Sequence, residues 1–469
     1  MEDLTTLGFI SIIPPIIAVV LAFWLRDTIL ALGIACVVGV LLAGEGLLGF
    51  PNLMTNALGN TDFSWILILE LAIGVLIAFF LRTGAINSFA DMVGRRNASR
   101  KRIGIGTWFM GLFVFFSDYF SPVFVGATMR KVTDKVKISR EKLAYIIDST
   151  SAPVAVIVPF TAWAVFIAGL LIGMEPIQDE TEALRVFTQS IPFNFYAIIT
   201  VIMVFLIVSG VLRDFGPMKK AEERAIKEGK LIRDKSNPLI SDELTGIKPY
   251  YKDRLLSIFW NFFMPVVVII LVAVGSYIFM GSALTMEAFL AAVVFLGIVM
   301  RVQGIPMKDI MDTAMRGIKG IMPAVMILVF AYAINTLSEN MGTAVYLIQI
   351  TESWMNPGLL PAITFLLAAV ISFSTGTSWG TYGIMIPIAV PLAIGFAGGD
   401  INMVVLATIA AVAGGGVFGD HCSPLSDTTI LASTGAAVDH IDHVRTQLPY
   451  AILAGMLGFA VYLVIGLAA

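Results

Sequence analysis

Charged residues are scarce in this 469-residue chain, at 13% of the total, and only Cys36 and Cys422 are cysteines. Two cysteines far apart in apolar surroundings do not make a disulfide scaffold. The net charge is −3 and no Lys/Arg-rich stretch is interleaved with aromatic residues, which argues against a nucleic-acid partner. The chain has instead 58% hydrophobic residues and a mean hydropathy of +0.90, values typical of a polytopic membrane protein.

Motifs for nucleotide hydrolysis and covalent catalysis are also lacking. The sequence has neither a Walker loop nor a nucleophile elbow, so it favours neither an ATP-driven pump nor an enzyme, and no cofactor is expected. His421 and Cys422 are adjacent but have no second pair of ligands, which argues against a zinc site and leaves open a pH-responsive role for His421. The start, Met1-Glu2-Asp3, is acidic where a secretory signal carries Lys or Arg, so no signal peptide is expected.

Apolar segments of about 20 residues predict membrane-spanning helices. Uninterrupted candidates lie at 7–25, 28–48, 65–81, 191–212, 256–280, 285–301, 320–338 and 450–468. Four further apolar regions are too long or have polar interruptions, and these are 103–129, 143–174, 358–396 and 402–433.

The positions of Lys and Arg predict the orientation of the chain, because cytoplasmic loops are enriched in both. Six segments contain no basic residue except Arg185, and these are 1–6, 49–64, 175–190, 281–284, 340–357 and 397–401. Placing the six outside puts every other Lys and Arg on the cytoplasmic side. The prediction is therefore a multi-pass protein of the cell membrane with both termini outside.

Two of the interrupted regions are predicted to be re-entrant hairpins. Residues 103–129 have basic flanks on both sides and a Ser-Asp-Pro-containing turn signal at 116–122, so they should enter and leave on the cytoplasmic face. Residues 358–396 should form a second hairpin from the outside, with 372–380 at its tip. Irregular backbone at membrane depth is tolerated only where it is buried in protein or lines a wet cavity, so the opposed tips predict a shared site near mid-membrane.

The order of elements occurs twice. Three spans, a re-entrant helical hairpin, a broken helix and a final span cover 1–212 and again 256–469, with a basic connecting loop at 213–255. The first set starts outside and the second starts inside. The predicted fold class is therefore an all-α polytopic membrane protein with two inverted-topology repeats, an arrangement typical of secondary transporters.

The interrupted elements contain four aspartates. An intramembrane carboxylate is costly unless a proton, a cation or a partner neutralises it, and no Lys or Arg lies within these elements. Neighbouring hydroxyl groups offer oxygen ligands to a small hard cation, with capping of helix ends as their alternative role. The predicted ion- or substrate-binding residues are Ser117, Asp118, Ser121, Asp148, Ser149, Thr150, Ser151, Thr375, Thr377, Ser378, Asp420, Ser423, Asp427 and Thr428.

Other polar and small residues are assigned lesser roles. Glu70, in the third span, is a secondary candidate placed nearer the outer boundary. His440 and His443 are interpreted as solvated surface at the last cytoplasmic turn. The run 414–416, three glycines, is interpreted as a close helix contact rather than as space for an organic substrate.

Four segments resemble the signature segments of the NhaC-type Na⁺/H⁺ antiporter family. They are FSDYFSPVFVGATMRKVTDK (116–135), REKLAYIIDSTSAPVAVIVPFTAW (140–163), GTSWGTYGIMIPIA (376–389) and GDHCSPLSDTTILASTGA (419–436), of which the last is the most specific. The resemblance implies an elevator-type transporter that forms a homodimer. It further implies a scaffold made from spans 7–81 and 256–338 and a mobile transport domain made from 103–212 and 358–469.

Two functions fit these observations. The first is a secondary active Na⁺/H⁺ antiporter, in which a buried carboxylate holds a proton or a monovalent cation but not both. The alternative is a Na⁺- or H⁺-coupled transporter or exchanger of a small organic acid or amino acid, because relatives of the family carry such substrates. A channel or membrane receptor is disfavoured by the paired interrupted helices.

Overall fold

The structure is a computed structural model that describes residues 7–25, 27–86, 88–89, 99–115, 118–159, 161–239, 246–251, 256–280, 284–351 and 356–468. Within these ranges the regular structure is helical, and the only β pairing is an isolated bridge between Pro238 and Asp439. The prediction of an all-α fold is confirmed.

The first half of the chain begins with long apolar helices and continues with shorter, interrupted ones. Short 3₁₀ turns lie at Gly8–Ile12 and Ile191–Phe193. The α-helices are α1 (Ile13–Leu25), α2 (Thr28–Leu42), α3 (Gly49–Gly59), α4 (Thr61–Thr83), α5 (Arg100–Phe113), α6 (Phe120–Lys135), α7 (Arg140–Ser149), α8 (Ala152–Ala155), α9 (Ala162–Leu171), α10 (Glu180–Ser190), α11 (Phe195–Val208) and α12 (Gly216–Lys227).

The second half has fewer and longer helices. It opens with one turn of π-helix at Phe259–Phe263. Its α-helices are α13 (Met264–Met280), α14 (Thr285–Val302), α15 (Met307–Asn340), α16 (Thr343–Thr351), α17 (Leu360–Thr375), α18 (Ser378–Phe396), α19 (Met403–Cys422), α20 (Asp427–Ala436) and α21 (His440–Ala468).

Six of the described helices are long and apolar enough to cross a membrane. They are Phe63–Thr83, Phe259–Met280, Met307–Asn340, Ser378–Phe396, Met403–Cys422 and His440–Ala468. The pair Thr181–Phe193 and Phe195–Val208, bent by 49°, adds a seventh if it is counted as one span. The chain is thus a multi-pass membrane protein, as predicted.

Several helices extend beyond the apolar segments seen in the sequence. The predicted span 320–338 is the apolar part of α15, which begins at Met307. The polar start of α15 is held to α4 by Arg82, whose Nη2 and Nε lie 2.7 and 2.9 Å from the Asp309 carboxylate. A two-point Arg–carboxylate pair of this kind fixes geometry as well as energy, so the helix continues past the apolar boundary.

The two interrupted pairs, α5–α6 and α17–α18, lie where the hairpins are predicted. The second pair turns at Gly376, which has a φ of 77°, in the left-handed region that favours glycine. A Cβ atom on Gly376 would lie 2.6 Å from the Leu425 carbonyl oxygen. The tip of this hairpin therefore rests on the chain between α19 and α20.

Both broken helices are interrupted next to a proline. The first broken helix, α7–α8, breaks at residues 150–151, just before Pro153, and the second, α19–α20, breaks at 423–426, which contains Pro424. Proline has no backbone N–H, so it ends the hydrogen-bond ladder of the preceding helix and favours the first turn of a new one.

The buried side chains form two large clusters. The first contains residues of α1–α4 and α13–α15, and the second contains residues of α9–α11, α17–α19 and α21. Helices α6 and α20 contribute to the first cluster, so elements that the resemblance assigns to a transport domain also pack on the long spans. The division into scaffold and transport domains stays a prediction.

The connecting loop binds elements of both halves. Arg224 Nη2 lies 2.7 Å from Glu141 on α7, and Arg233 Nε lies 2.9 Å from Asp442 on α21. Near the end of the loop, the Lys248 carbonyl oxygen accepts a hydrogen bond of 2.9 Å from Arg82 Nη1 on α4. The described parts of the loop are therefore ordered and cover the polar end of the helix bundle.

The inverted arrangement predicts that both ends of the first hairpin face the cytoplasm. Single-cysteine variants Arg102→Cys and Lys137→Cys place thiols at exposed positions on either side of α5–α6, whereas Cys36 and Cys422 are buried and should label little. An impermeant thiol reagent should label both variants in inside-out vesicles and neither in right-side-out vesicles. Labelling of the two positions from opposite faces would contradict the hairpin.

Candidate functional site

The second broken helix lies at the centre of the candidate site. Helix α19 packs against α17 and α18 of the second hairpin, and α20 packs against α6 of the first hairpin and α7 of the first broken helix. The contact between α6 and α20 is made by two glycines: a Cβ atom on Gly435 would lie 2.3 Å from the Pro122 carbonyl oxygen, and one on Gly126 would lie 2.5 Å from Gly435. Backbone packing at this distance holds α6 of the first hairpin against the end of α20.

Glycines also fix the second hairpin against α19. A Cβ atom on Gly415 would lie 2.5 Å from the Phe365 carbonyl oxygen, and one on Gly416 would lie 2.3 Å from the Tyr382 ring. The three-glycine run is therefore a close helix contact, as predicted.

The Asp420 carboxylate, only 2% exposed, accepts three hydroxyl hydrogen bonds. Ser378 Oγ, at the start of α18, donates to Oδ2 at 2.8 Å. Thr428 Oγ1 donates to Oδ1 at 3.1 Å, and Ser426 Oγ donates to the same oxygen. The end of α19, the break and the start of α18 together build this shell of oxygen atoms.

Two more carboxyl groups lie beside Asp420. Asp427 begins α20, where its Oδ1 accepts the Thr428 N–H at 2.7 Å and its Oδ2 accepts the Tyr119 hydroxyl at 3.2 Å. Asp118, next to Tyr119 in the first hairpin, is close enough to interact electrostatically with both Asp420 and Asp427. We call Asp118, Asp420 and Asp427 the carboxyl cluster.

The carboxyl cluster has no basic partner within the described part of the chain. None of the ion pairs there between Lys, Arg or His and an acidic group involves Asp118, Asp420 or Asp427. Asp118 Oδ2 and the neighbouring Ser121 Oγ are buried and make no hydrogen bond to any described residue. Unsatisfied buried oxygens of this kind are expected to be met by water, a proton or a cation.

A second polar centre surrounds Asp148, at the end of α7. Its carboxylate is fully buried, and Oδ2 accepts from Gln447 Nε2 at 2.7 Å and contacts His443 Nε2 at 3.0 Å. Gln447 Nε2 also donates to the His421 carbonyl. The Nε2 atom of the His421 ring lies 2.8 Å from Ser149 Oγ, within hydrogen-bond distance. This network ties both broken helices to α21.

The interpretation of the last two histidines as solvated surface is wrong. His443 is 0% exposed and its partner is Asp148, while His440 is 2% exposed. His440 Nδ1 lies 3.0 Å from Ser433 Oγ and its Nε2 lies 3.0 Å from the Pro424 carbonyl oxygen. The reason is that α21 starts at His440, well before the apolar span, and the connecting loop covers this turn.

The remaining hydroxyl candidates mostly bond to backbone. Ser149 reaches His421, and Ser378 and Thr428 reach Asp420, as described above. Four others donate to carbonyl oxygens: Thr150 to Ile146, Ser151 to Asp148, Thr375 to Ile371 and Ser423 to Phe373. Thr377 is the N-cap residue of α18 without a side-chain capping bond, and Ser117 lies outside the described residues.

Sequence reasoning missed the partners that come from distant elements. Tyr119, His443, Gln447 and Ser426 are not among the predicted site residues. Glu70 is fully buried in α4, with both carboxylate oxygens making no hydrogen bond to any described residue. The sequence does contain one signal for His443 and Gln447: these two polar residues lie one helical turn apart on the helix that contains the last span.

Interrupted helix pairs and broken helices around buried carboxylates, in a chain with several apolar spans, are typical of a secondary transporter. Residues 154–467 match the sequence model of the Na⁺/H⁺ antiporter family. The chain belongs to this family, of NhaC type, and the resemblance seen in the sequence is confirmed. The family is one of membrane antiporters and is not a class of enzymes.

Relatives of the chain differ in what their names say they carry. An uncharacterised protein of Haemophilus influenzae is 33% identical over 97% of this chain and 90% of its own length. The malate-2H⁺/Na⁺-lactate antiporter of Bacillus subtilis is 31% identical over 35% of this chain and 34% of its own. The arginine/ornithine antiporter of Halobacterium salinarum is 32% identical over 31% of this chain and 29% of its own.

The network at Asp148 predicts a large loss of stability when its amide is removed. In Gln447→Leu, Asp148 and the His421 carbonyl lose a buried donor, and leaving such groups unsatisfied costs about 3 kcal/mol. The thermal midpoint of the purified protein in detergent should fall by several degrees. Gln189→Leu, at an exposed position of α10, is the control and should leave the midpoint unchanged. An equal midpoint for both variants would contradict a structural role of the network.

Proposed function

We propose that this protein is a Na⁺/H⁺ antiporter in which Na⁺ and protons compete for the carboxyl cluster. The observation that carries the proposal is the absence of a Lys or Arg partner for these three acids within the described residues, together with the hydroxyl shell of Asp420. Negative charges buried without a fixed counter-ion need a mobile one.

The exchange follows from charge balance at this site. A proton neutralises a carboxyl group, and a bound Na⁺ neutralises the carboxylate that remains when the proton leaves. The ions exclude each other at one group, because the protonated carboxyl offers a poor ligand to a cation. If the site opens alternately to the two sides, each cycle carries one ion inward and the other ion outward. No covalent chemistry is needed.

The hydroxyl groups of Ser378, Ser426 and Thr428 suit this role. In the absence of a cation they donate to Asp420. Each hydroxyl has acceptor lone pairs and rotates freely, so the same three groups turn their oxygens toward a cation when it arrives. Ser121, with an unsatisfied Oγ beside Asp118, is a further ligand in this proposal.

The proposed movement is of the elevator type, in a homodimer of the cell membrane with both termini outside and two inverted repeats. What supports a common mobile unit is that both hairpins rest on the second broken helix, through the contacts of Gly376 with Leu425 and of Gly126 with Gly435. Elements joined by backbone contacts of this closeness move together more readily than they separate. Dimerisation rests on the resemblance to the family.

A second candidate function is coupled exchange of a small organic acid or amino acid. The observation that favours it is an aromatic group beside the carboxyl cluster: the rings of Trp163 and Trp379 are 5.0 Å apart, and those of Phe166 and Trp379 are 4.7 Å apart. Trp163 Nε1 is buried near Asp118 but makes no geometrically acceptable hydrogen bond to a described residue. An indole N–H of this kind can donate a hydrogen bond to the carboxylate of a substrate. The names of two relatives, the malate-2H⁺/Na⁺-lactate antiporter and the arginine/ornithine antiporter, also support an organic acid or amino acid as the substrate.

Removal of the titratable charge should abolish exchange. Asp118→Asn and Asp420→Asn keep side-chain size but cannot alternate between a proton and a cation. In liposomes containing the purified protein, Na⁺-driven proton movement should fall at least about 10²-fold in each variant. Asp400→Asn, at an exposed position after α18, should retain normal exchange.

The same liposomes separate the two candidate functions. Proton movement on adding Na⁺ alone supports Na⁺/H⁺ exchange. Proton or Na⁺ movement that requires a carboxylic acid or an amino acid would contradict it and favour the second candidate. Normal pH-dependent exchange in both Asp118→Asn and Asp420→Asn would exclude the carboxyl cluster as the site of competition.

Competition predicts the sign of the pH dependence. Lowering the pH fills the carboxyl cluster with protons, so the apparent affinity for Na⁺ should weaken as pH falls, by up to about tenfold per pH unit for each proton displaced. The measurement is the half-saturating Na⁺ concentration of exchange at several pH values. A half-saturating concentration independent of pH would mean that the proton and the cation do not share a group.

A further inference from the structure

A cavity of about 410 Å³ lies at the polar end of the bundle, away from the carboxyl cluster. Its walls come from the start of α5, from α7, from the end of α11 and from α12 of the connecting loop. Its apolar lining includes Gly104, Ile146, Ile207 and Val208 of the apolar helices and, at exposed positions, Leu212 and Ile226. The rest of the lining is largely charged, so the cavity offers both apolar and charged contacts.

The acidic groups of this cavity are already neutralised. Asp214 accepts from Lys142 Nζ at 2.7 Å. Glu222 pairs with both Lys142, at 3.4 Å, and Arg100, at 2.5 Å, and Glu223 lies 3.6 Å from a lysine one turn further along α12. These carboxylates are therefore not available to balance additional positive charge.

Three more cations line the cavity without a counter-ion. Lys101, Arg213 and Lys219 make no ion pair or hydrogen bond with any described residue. With Arg100 and Lys142, the wall has five cations against three acids. The cavity consequently has a surplus of positive charge.

An unused donor points to an anionic ligand. Arg100 binds Glu222 through Nη2 alone, and its Nε is buried without a hydrogen-bond partner among the described residues. Lys142, which shares Glu222 with Arg100, is only 8% exposed and holds two acids in place. A phosphate oxygen is the acceptor that a guanidinium fork and neighbouring ammonium groups recognise best.

We infer that this cavity binds the phosphate headgroup of an anionic phospholipid. A lipid is favoured over a soluble phosphate ester because the charged groups adjoin the exposed apolar side chains of Leu212 and Ile226, which an acyl chain can cover. Basic pockets between membrane helices at the level of the headgroups are sites of this kind. A zwitterionic headgroup brings its own ammonium group into a cavity that already has surplus positive charge, so it binds less well.

This inference does not depend on which substrate is transported. The ligand joins α5, α7, α11 and the connecting loop at one point, so its binding stabilises the fold of the first half. The readout is therefore stability and binding rather than exchange, and failure of the Na⁺/H⁺ proposal leaves it intact.

The test is the thermal midpoint of the purified full chain in detergent micelles titrated with phosphatidylglycerol, phosphatidylcholine or soluble glycerol 3-phosphate. Phosphatidylglycerol should raise the midpoint saturably, and the other two should not. In the triple variant Lys101→Gln/Arg213→Gln/Lys219→Gln, the apparent affinity for phosphatidylglycerol should fall about 10²-fold, since each cation near an anionic lipid surface contributes roughly fivefold.

Two matched variants serve as controls. Arg301→Gln/Lys308→Gln/Lys319→Gln removes the same number of exposed charges from α14 and α15 and should keep the wild-type affinity. Lys101→Arg/Arg213→Lys/Lys219→Arg keeps the charge of the cavity and should keep most of the affinity. If both triple Gln variants lose affinity equally, general surface charge is responsible and the cavity assignment is wrong.

Two further outcomes overturn the inference. Equal stabilisation by glycerol 3-phosphate assigns the cavity to a soluble phosphate ester rather than to a lipid. No phosphatidylglycerol bound to the wild-type protein in native mass spectrometry, under conditions that keep the chain folded, excludes a lipid site even if the triple variant is too unstable to measure.

Discussion

The cost of an ionised carboxylate away from water is the constraint on which this structure depends. Asp118, Asp420 and Asp427 lie together in a bundle of apolar helices, where an unpaired charge is destabilising by several kcal/mol. The chain does not offset this cost with Lys or Arg in the described residues. It places hydroxyl groups around Asp420 and leaves part of Asp118 unsatisfied. Such a group of acids needs a proton or a mobile cation to offset its charge, and this need is the basis of the proposed exchange.

That constraint explains why the helices are interrupted where they are. A continuous helix uses its backbone groups internally, so it offers neither free carbonyls nor closely spaced hydroxyls to an ion. The break around Pro424 releases them, but free backbone groups must then be covered by protein. Glycines help to provide the cover, because Gly376 lets the second hairpin approach Leu425 in the break, and Gly435 lets α6 pack closely on α20. Proline thus interrupts the helix, and glycines let neighbouring helices enclose the interruption.

The helical fold and several of its spans could be predicted from the sequence, because apolar length and proline positions are local properties. The orientation, which rests on the distribution of Lys and Arg, stays a prediction. The carboxylates of the site were also visible, since an aspartate in an apolar run stands out. The hydrogen-bond partners of these carboxylates could not be predicted. Tyr119 reaches Asp427 across 308 positions, and Gln447 reaches Asp148 across 299, so neither pair leaves a local pattern. The burial of His443 was missed because a polar stretch next to an apolar span resembles a solvated end until another segment is seen to cover it.

The two polar centres differ in how freely their partners can change role, and this difference assigns them different functions. Around Asp420 the donors are hydroxyls, which become acceptors by rotating, so a cation replaces a hydrogen bond without moving the backbone. At Asp148 the Gln447 amide nitrogen can only donate, and it also binds the His421 carbonyl, so a cation there would face a fixed N–H group. A site that exchanges ions needs the first kind of partner, and a joint between two broken helices needs the second. Under the proposed exchange, Asp148 is therefore better suited to hold the first broken helix, the second broken helix and α21 in register than to bind the transported ion.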